Sequence, residues 1–163
     1  MRIYMRHGND EKKSLYKHDK SLDSSSQYEQ SIIEKTKDLI KLYGYPDKIY
    51  CSPFRRARET VHIMRQLLNV EIIINSNLSR FFQDKEKSNP SVRKKTMKYN
   101  PPIQESRVEF KQRVKQVEKI IDKEPGNIWC ITHYLVIKQI GKKYNKEIPK
   151  RMPFLWHMAL KND

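Results

Sequence analysis

Apolar and polar positions along the chain switch between short buried-type runs and longer amphipathic stripes, and that alternation predicts an α/β fold. The opening run Arg2–Arg6 reads as a strand that breaks at Gly8. Residues 9–26 are polar and charged with no apolar period, which predicts a long loop. Tyr28, Ile32, Thr36, Leu39, Ile40 and Tyr43 then make a helical stripe. Capping-box spacing at Ser26-Gln-Tyr-Glu29 precedes the stripe and Gly44 stops it. After the Pro46-Asp47 turn, residues 48–51 form a second strand. Ser52-Pro53 reads as an N-cap with proline at the first helical position, opening a helix that carries Ala57, Val61, Met64 and Leu68 on one face. Residues 71–75 are a third strand.

Residues 76–104 show no clear period. They hold Phe81-Phe82, a basic run (Arg93, Lys94, Lys95, Lys98) and Pro101-Pro102, which predicts an excursion over the sheet's edge of the kind that carries substrate loops. Ser106-Arg-Val-Glu109 is a second capping box, ahead of a stripe at Phe110, Val114, Val117 and Ile121 that Pro125-Gly126 ends. A buried strand over 127–132, a helix through Val136, Ile140 and Tyr144, and a closing strand over 154–160 complete the chain. Strands alternating with helices predict a three-layer α/β/α sandwich around a mostly parallel sheet. With 163 residues, no internal repeat and no linker, residues 1–163 read as a single domain.

Charge sharpens the picture. Against 34 basic side chains stand 19 acidic ones, a net charge of +15, which favours an anionic partner such as a phosphorylated small molecule, a phosphoprotein, nucleic acid or an acidic membrane surface. A solubilising lysine coat accounts for the same excess equally well. The basic run at 93–98 lacks interleaved aromatics beyond Tyr99, which argues against nucleic acid. No apolar stretch approaches the roughly 20 residues that span a bilayer. Two cysteines without a secretory leader point to a reducing, intracellular, cytoplasmic setting, with Cys51 and Cys130 as small buried hydrophobes. The five histidines are dispersed and match no metal-ligand spacing, so neither a metal nor a cofactor is expected.

Three strand ends carry polar residues of one chemical kind. The first strand ends in Arg6-His7, the second leads into Ser52-Pro-Phe-Arg-Arg-Ala-Arg-Glu-Thr60, and the fourth ends in Thr132-His133. In open α/β sheets, ligands bind beyond the carboxyl ends of the strands, where these groups can converge. A neutral imidazole is nucleophilic near pH 7, and two guanidiniums in fork geometry neutralise phosphoryl oxygens.

Arg6-His7-Gly8, Ser52-Pro-Phe-x-Arg56-Ala-x-x-Thr60 and Thr132-His133, in that order over nearly the whole chain, resemble the histidine phosphatase (phosphoglycerate mutase-like) superfamily. The stretch Gln104-Glu-Ser106 is similar as well. The resemblance implies a phosphatase in which His7 takes the phosphoryl group, Arg6 and Arg56 hold its oxygens, and His133 is the second histidine contacting them. Arg55 and Arg58 flank Arg56 and read mainly as surface charge. His18, His62 and His157 read as surface or packing residues, and Trp129 and Trp156 as core.

One part of the family pattern is missing. Many members have a Leu-x-Glu after the third strand, whose glutamate protonates the leaving oxygen; here the stretch is Leu78-Ser79-Arg80. Arginine is too weak an acid for that task. Asp84, Glu86 or Glu105 is the candidate replacement acid, and Arg80 the candidate extra anion contact. Alternatively the leaving group needs no proton, as with phosphohistidine or a phosphoanhydride, or the chain binds phosphate or a phosphoprotein with little turnover. In length, in Ser-Pro-Phe-x-Arg-Ala and in lacking that acid, the chain resembles the short phosphohistidine phosphatases. A mutase, which must retain and re-donate the phosphoryl group around a larger closed site, fits the chain's length less well.

Overall fold

The computed structural model describes residues 1–8, 26–81 and 105–161. Five strands, β1 (Arg2–Arg6), β2 (Lys48–Cys51), β3 (Glu71–Ile74), β4 (Ile128–Thr132) and β5 (His157–Leu160), form one sheet in the order β3-β2-β4-β1-β5. Every neighbouring pair is parallel except β1 with β5, which closes one edge antiparallel. Among the described residues four helices cover the sheet: α1 (Ser26–Tyr43), α2 (Arg55–Met64), α3 (Arg107–Lys123) and α4 (Tyr134–Lys143). The expected three-layer sandwich is therefore observed.

Alternation along the strands sorts the core into two halves. Ile3, Met5, Ile49, Cys51, Trp129 and Ile131 face α1 and α2, which add Ile32, Leu39, Ala57, Val61 and Met64. Tyr4, Tyr50, Ile128 and Cys130 face the other way, onto the Phe110, Val114, Val117 and Ile121 stripe of α3 and the buried face of α4. Burying each large aliphatic side chain contributes about 1.5–3 kcal/mol, so both helical layers are bound mainly by these stripes. Both cysteines sit in this core, and burial pushes their thiols up, Cys51 to about 12. Trp129 is fully buried, whereas Trp156 packs only at the core's margin.

Local signals explain most boundaries. Gly44 takes φ +78° just past α1, where its N–H bonds the Ile40 carbonyl at 2.8 Å. The Asn127 amide then donates to the carbonyls of Tyr43, Gly44 and Tyr45. Ser106 and Glu109 form the expected capping box, with Ser106 N to Glu109 Oε2 at 2.6 Å and Glu109 N to Ser106 Oγ at 3.2 Å. Arg2, an unexpected buried cation in β1, donates to the carbonyl of Asp122 in the last turn of α3 and to those of Glu124 and Gly126 just past it, where positive charge is favoured.

Four expectations need correction. Ser26 is already helical, so it does not act as the N-cap of α1. Ser52 and Pro53 precede α2 rather than start it: Phe54 is the N-cap, because the Ser52 hydroxyl is engaged by His133 and the chain stays extended two residues further. That helix also ends at Met64, and a turn delivers Leu68 to the same apolar cluster. The closing strand begins only at His157, because Leu155 adopts φ +59° in a turn that places Phe154 against Arg6.

Candidate active site

The parallel register sets three strand ends level. Arg6 pairs with Thr132 and Cys51 with Ile131. The ladder then runs one step further on both sides of β4, with His7 N to the Thr132 carbonyl at 3.1 Å and Ser52 N to the Ile131 carbonyl at 2.9 Å. His7, Ser52 and His133 thus emerge side by side at the carboxyl edge, and α2 brings Arg56 over them.

The imidazole of His7 is held at both nitrogens. Its Nδ1 lies 2.7 Å from the Gly8 carbonyl and must donate, which leaves the lone pair on Nε2. Arg56 Nε donates to that Nε2 at 2.9 Å, which requires the same tautomer. Burial and then the Arg56 charge hold His7 well below the ordinary histidine pKa, with the Gly8 bond partly opposing and Arg6 and Arg80 adding smaller effects. His7 is therefore a neutral ring with an outward lone pair, as a nucleophile requires.

His133 has the mirror arrangement. Arg56 Nη2 lies 3.3 Å from its Nδ1, so Nε2 carries the proton and donates to Ser52 Oγ at 2.8 Å. Burial first, then Arg56, then His7 and Arg80, keep this ring neutral too. The two histidine rings are 5.0 Å apart, edge to face. Phe54 packs 5.1 Å from His133, and Phe154 packs 5.8 Å from His7 while lying under the Arg6 guanidinium at 4.1 Å. Arg6 also donates to the Met152 carbonyl.

The structure brings His7, Arg56 and His133 together, places Arg6 against Phe154 beside His7, and sets Arg80 close enough for its charge to act on both histidines. Glu105 is bonded through both carboxylate oxygens to the Arg113 guanidinium, in a buried ion pair. Arg113 also donates to the Asn77 and Ser79 carbonyls at 2.6 and 3.0 Å, and Thr132 Oγ1 donates to the Leu78 carbonyl at 2.6 Å. Those bonds fix the backbone that presents Arg80. Asp84, Glu86 and the basic run at 93–98 lie outside the described residues.

Three supporting residues have no assigned role in the site from sequence. Ser52 sets the His133 tautomer, Thr60 Oγ1 accepts the Gly8 N–H at 2.9 Å while donating to the Arg56 carbonyl at 2.7 Å, and Phe154 shelves Arg6. Ser52 and Thr60 stand inside the motif already singled out. Phe154 is distant from it and has no comparable signal.

The histidine phosphatase superfamily (branch 1) model matches residues 3–162. The chain belongs to that superfamily. Among solved structures it is similar to the protein histidine phosphatase SixA complexed with tungstate (14% identity, 94% of this chain and 83% of that one, TM-score 0.64). It is also similar to a mycobacterial glucosyl-3-phosphoglycerate phosphatase (18%, 90% and 80%, TM-score 0.61). A third similar structure is the Entamoeba histolytica phosphoserine phosphatase in complex with 3-phosphoglyceric acid (20%, 90% and 80%, TM-score 0.59). At these identities the likeness is one of fold. No curated protein sequence matches. Superfamily membership and the phosphatase neighbours support phosphatase activity in general.

Proposed function

We propose that this chain is a metal-independent phosphatase that takes the phosphoryl group of its substrate onto His7 Nε2. The observation that carries this reading is the neutral His7 ring, with Nδ1 tied to Gly8 and its lone pair aimed at Arg56 beside His133. The lone pair forms the new N–P bond, while the bond from phosphorus to the leaving group breaks with its electron pair on the departing atom. Water then attacks the phosphohistidine, the N–P electrons return to Nε2, and inorganic phosphate leaves. Arg6 and Arg56 hold the oxygens and the neutral His133 lies beside them, and the preorganised charge of the two guanidiniums supplies most of the stabilisation that an in-line transfer needs.

The substrate class we infer is one whose leaving group departs unprotonated: a phosphoramidate, a phosphoanhydride or an aryl ester. Arg80 stands where the family's acid is usual, and it suits a role as an additional anion contact. Glu105, committed through both oxygens to Arg113, suits a structural role better than proton delivery. A second reading, phosphate or phosphoprotein binding with little turnover, is favoured by that same lack of an acid.

Hydrolysis of p-nitrophenyl phosphate decides between the two. The wild type is expected to turn it over and His7→Ala to lose the activity, with an acid-labile phosphoenzyme trapped only in the wild type. Equal rates for the two proteins would overturn the nucleophile, and tight phosphate binding without turnover would establish the second reading.

A further inference from the structure

The outer face of the α3–α4 layer carries a charge pattern that the phosphate site does not use. Arg107, Lys111, Lys115, Lys119 and Lys123 recur at every fourth position of α3, a ladder of exposed cations about 6 Å apart that drifts about 40° per step around the helix, so that the first four border the side facing α4 and Lys123 turns away from it. Lys138, Lys142 and Lys143 of α4 stand across from it. Between the helices run two adjoining cavities of about 440 and 270 Å³, which share Lys111 and Gln139.

Acids among the described residues do not balance this charge. Glu118 is buried and bound to Lys143 at 2.9 Å, Asp122 lies 3.7 Å from the same ammonium, and Glu109 is spent on the capping box. No carboxylate among the described residues pairs with Arg107, Lys111, Lys115, Lys119, Lys138 or Lys142. Like charges four apart on a helix destabilise it, so the ladder is not explained by helix stability.

The floor and the position of the groove narrow its occupant. Phe81, Phe110, Val114 and Leu135 give it an apolar base, with Phe81 and Phe110 in ring contact at 5.0 Å. Its head adjoins the candidate active site, since α4 starts directly after His133 and Phe81 directly follows Arg80. Single-stranded nucleic acid asks for exposed aromatic platforms along a cationic track, whereas here the Phe81 ring is packed on Phe110. An amphipathic helix with carboxylates every fourth residue repeats with the same rise as the ladder and can lay apolar side chains on the floor.

We propose that the α3–α4 groove docks an acidic amphipathic helix of a phosphoprotein substrate and so delivers its phosphoryl group to the His7 pocket. The delivery rests on the phosphatase reading above; the docking does not.

Fluorescence anisotropy of the full chain with a labelled 20-residue helical peptide, carrying Glu at every fourth position and Leu on the adjoining ridge, tests this. Combined Lys111→Gln, Lys115→Gln and Lys119→Gln is expected to raise Kd at least tenfold while raising the melting temperature, because it also relieves the repulsion along the ladder. The same neutralisation at Lys35, Lys37 and Lys41 on α1 is expected to leave Kd within twofold. His7→Ala is expected to keep peptide affinity, so loss of the phosphatase reading and loss of the docking site are separately visible. Equal weakening by the two triple variants, or none by the α3 triple, overturns the proposal. So does polyuridylate of equal charge binding tighter than the peptide through the α3 lysines, which would assign the groove to nucleic acid.

Discussion

Arg56 Nε donates to His7 Nε2 across 2.9 Å, and the same guanidinium reaches His133 Nδ1 at 3.3 Å. One cation therefore sits against both lone pairs that face the site. This arrangement does two things at once. It adds to burial, the larger cause, in keeping both rings neutral, since a second proton on either ring would face the guanidinium directly. It also engages the lone pair of His7 in a hydrogen bond.

The pH dependence of kcat/KM follows. Burial, then Arg56, lower the His7 pKa well below its usual 6.5, so the proposed nucleophile stays neutral as the pH falls through that value. With p-nitrophenyl phosphate, no His7-dependent loss of kcat/KM is expected between pH 7.5 and 6.5, after correction for substrate ionisation. Removing the charge in Arg56→Gln should move the acid limb upward, but only in part, because desolvation is the larger cause. A wild-type limb centred at 6.5 would show that His7 is solvated as an ordinary histidine.

Ser52 is a positioning residue for His133. In Ser52→Ala the Nε2–H of a fully buried ring loses its acceptor, and an unsatisfied buried donor costs about 1–3 kcal/mol. The expected result is that loss in urea unfolding together with a fall in kcat and little change in KM. Ser52→Thr, which keeps the hydroxyl, should recover most of both. If alanine and threonine behave alike, the hydroxyl is not what orients the ring.

Much of this was legible in the chain. Arg6-His7 and His133 stand at strand ends that the parallel register sets level, so local pattern plus the rule about carboxyl edges gathers them, whereas Arg56 lies on α2 and it is the family resemblance that singles it out from Arg55 and Arg58. What escaped was non-local or dual-purpose. Ser52 looked like an N-cap because serine before proline usually is one, but a tertiary bond to His133, 81 residues away, took its hydroxyl instead. Phe154 was hidden in an apparent strand whose first half is bent by the positive φ of Leu155, a conformation that leucine gives no warning of. Arg113 and Glu118 fell on the buried side of an otherwise regular stripe, and nothing in helical periodicity marks which polar neighbour will be buried and paired.

The role of Glu105 can be separated from that of a proton donor. The Arg113 pair is buried, so Glu105→Gln leaves the guanidinium with a neutral partner and should cost on the order of 3 kcal/mol in unfolding free energy. The ratio of p-nitrophenyl phosphate to alkyl phosphate turnover should stay the same, because both substrates then suffer equally from any disturbance of the Arg80 backbone. A selective loss of alkyl turnover in a variant of unchanged stability would instead make Glu105 the acid.

Acid should erode stability before it erodes the nucleophile. His7, His133 and His157 all have folded pKa values lowered chiefly by burial, His157 to about 4. The unfolded chain takes up protons on these rings as the pH falls through about 6.5, whereas the folded chain does not. Unfolding then gains protons, so the contribution is fully present above 6.5 and is lost as the pH drops below it, toward about 4 for His157. Each histidine adds to the dependence of stability on pH, so the unfolding free energy measured in urea is expected to fall more steeply from pH 6 to 5 than from 7.5 to 6.5. His157→Phe keeps the ring against Tyr43 and should make that fall shallower. The paired carboxylates Glu109 and Glu124, whose pKa values are lowered from 4.5 by hydrogen bonds to Ser106 and to Lys48 respectively, act only further down the scale. A stability that is flat from pH 6.5 to 5 would mean that the two site histidines are not buried as neutral rings, and the proposed neutral nucleophile would fall with them.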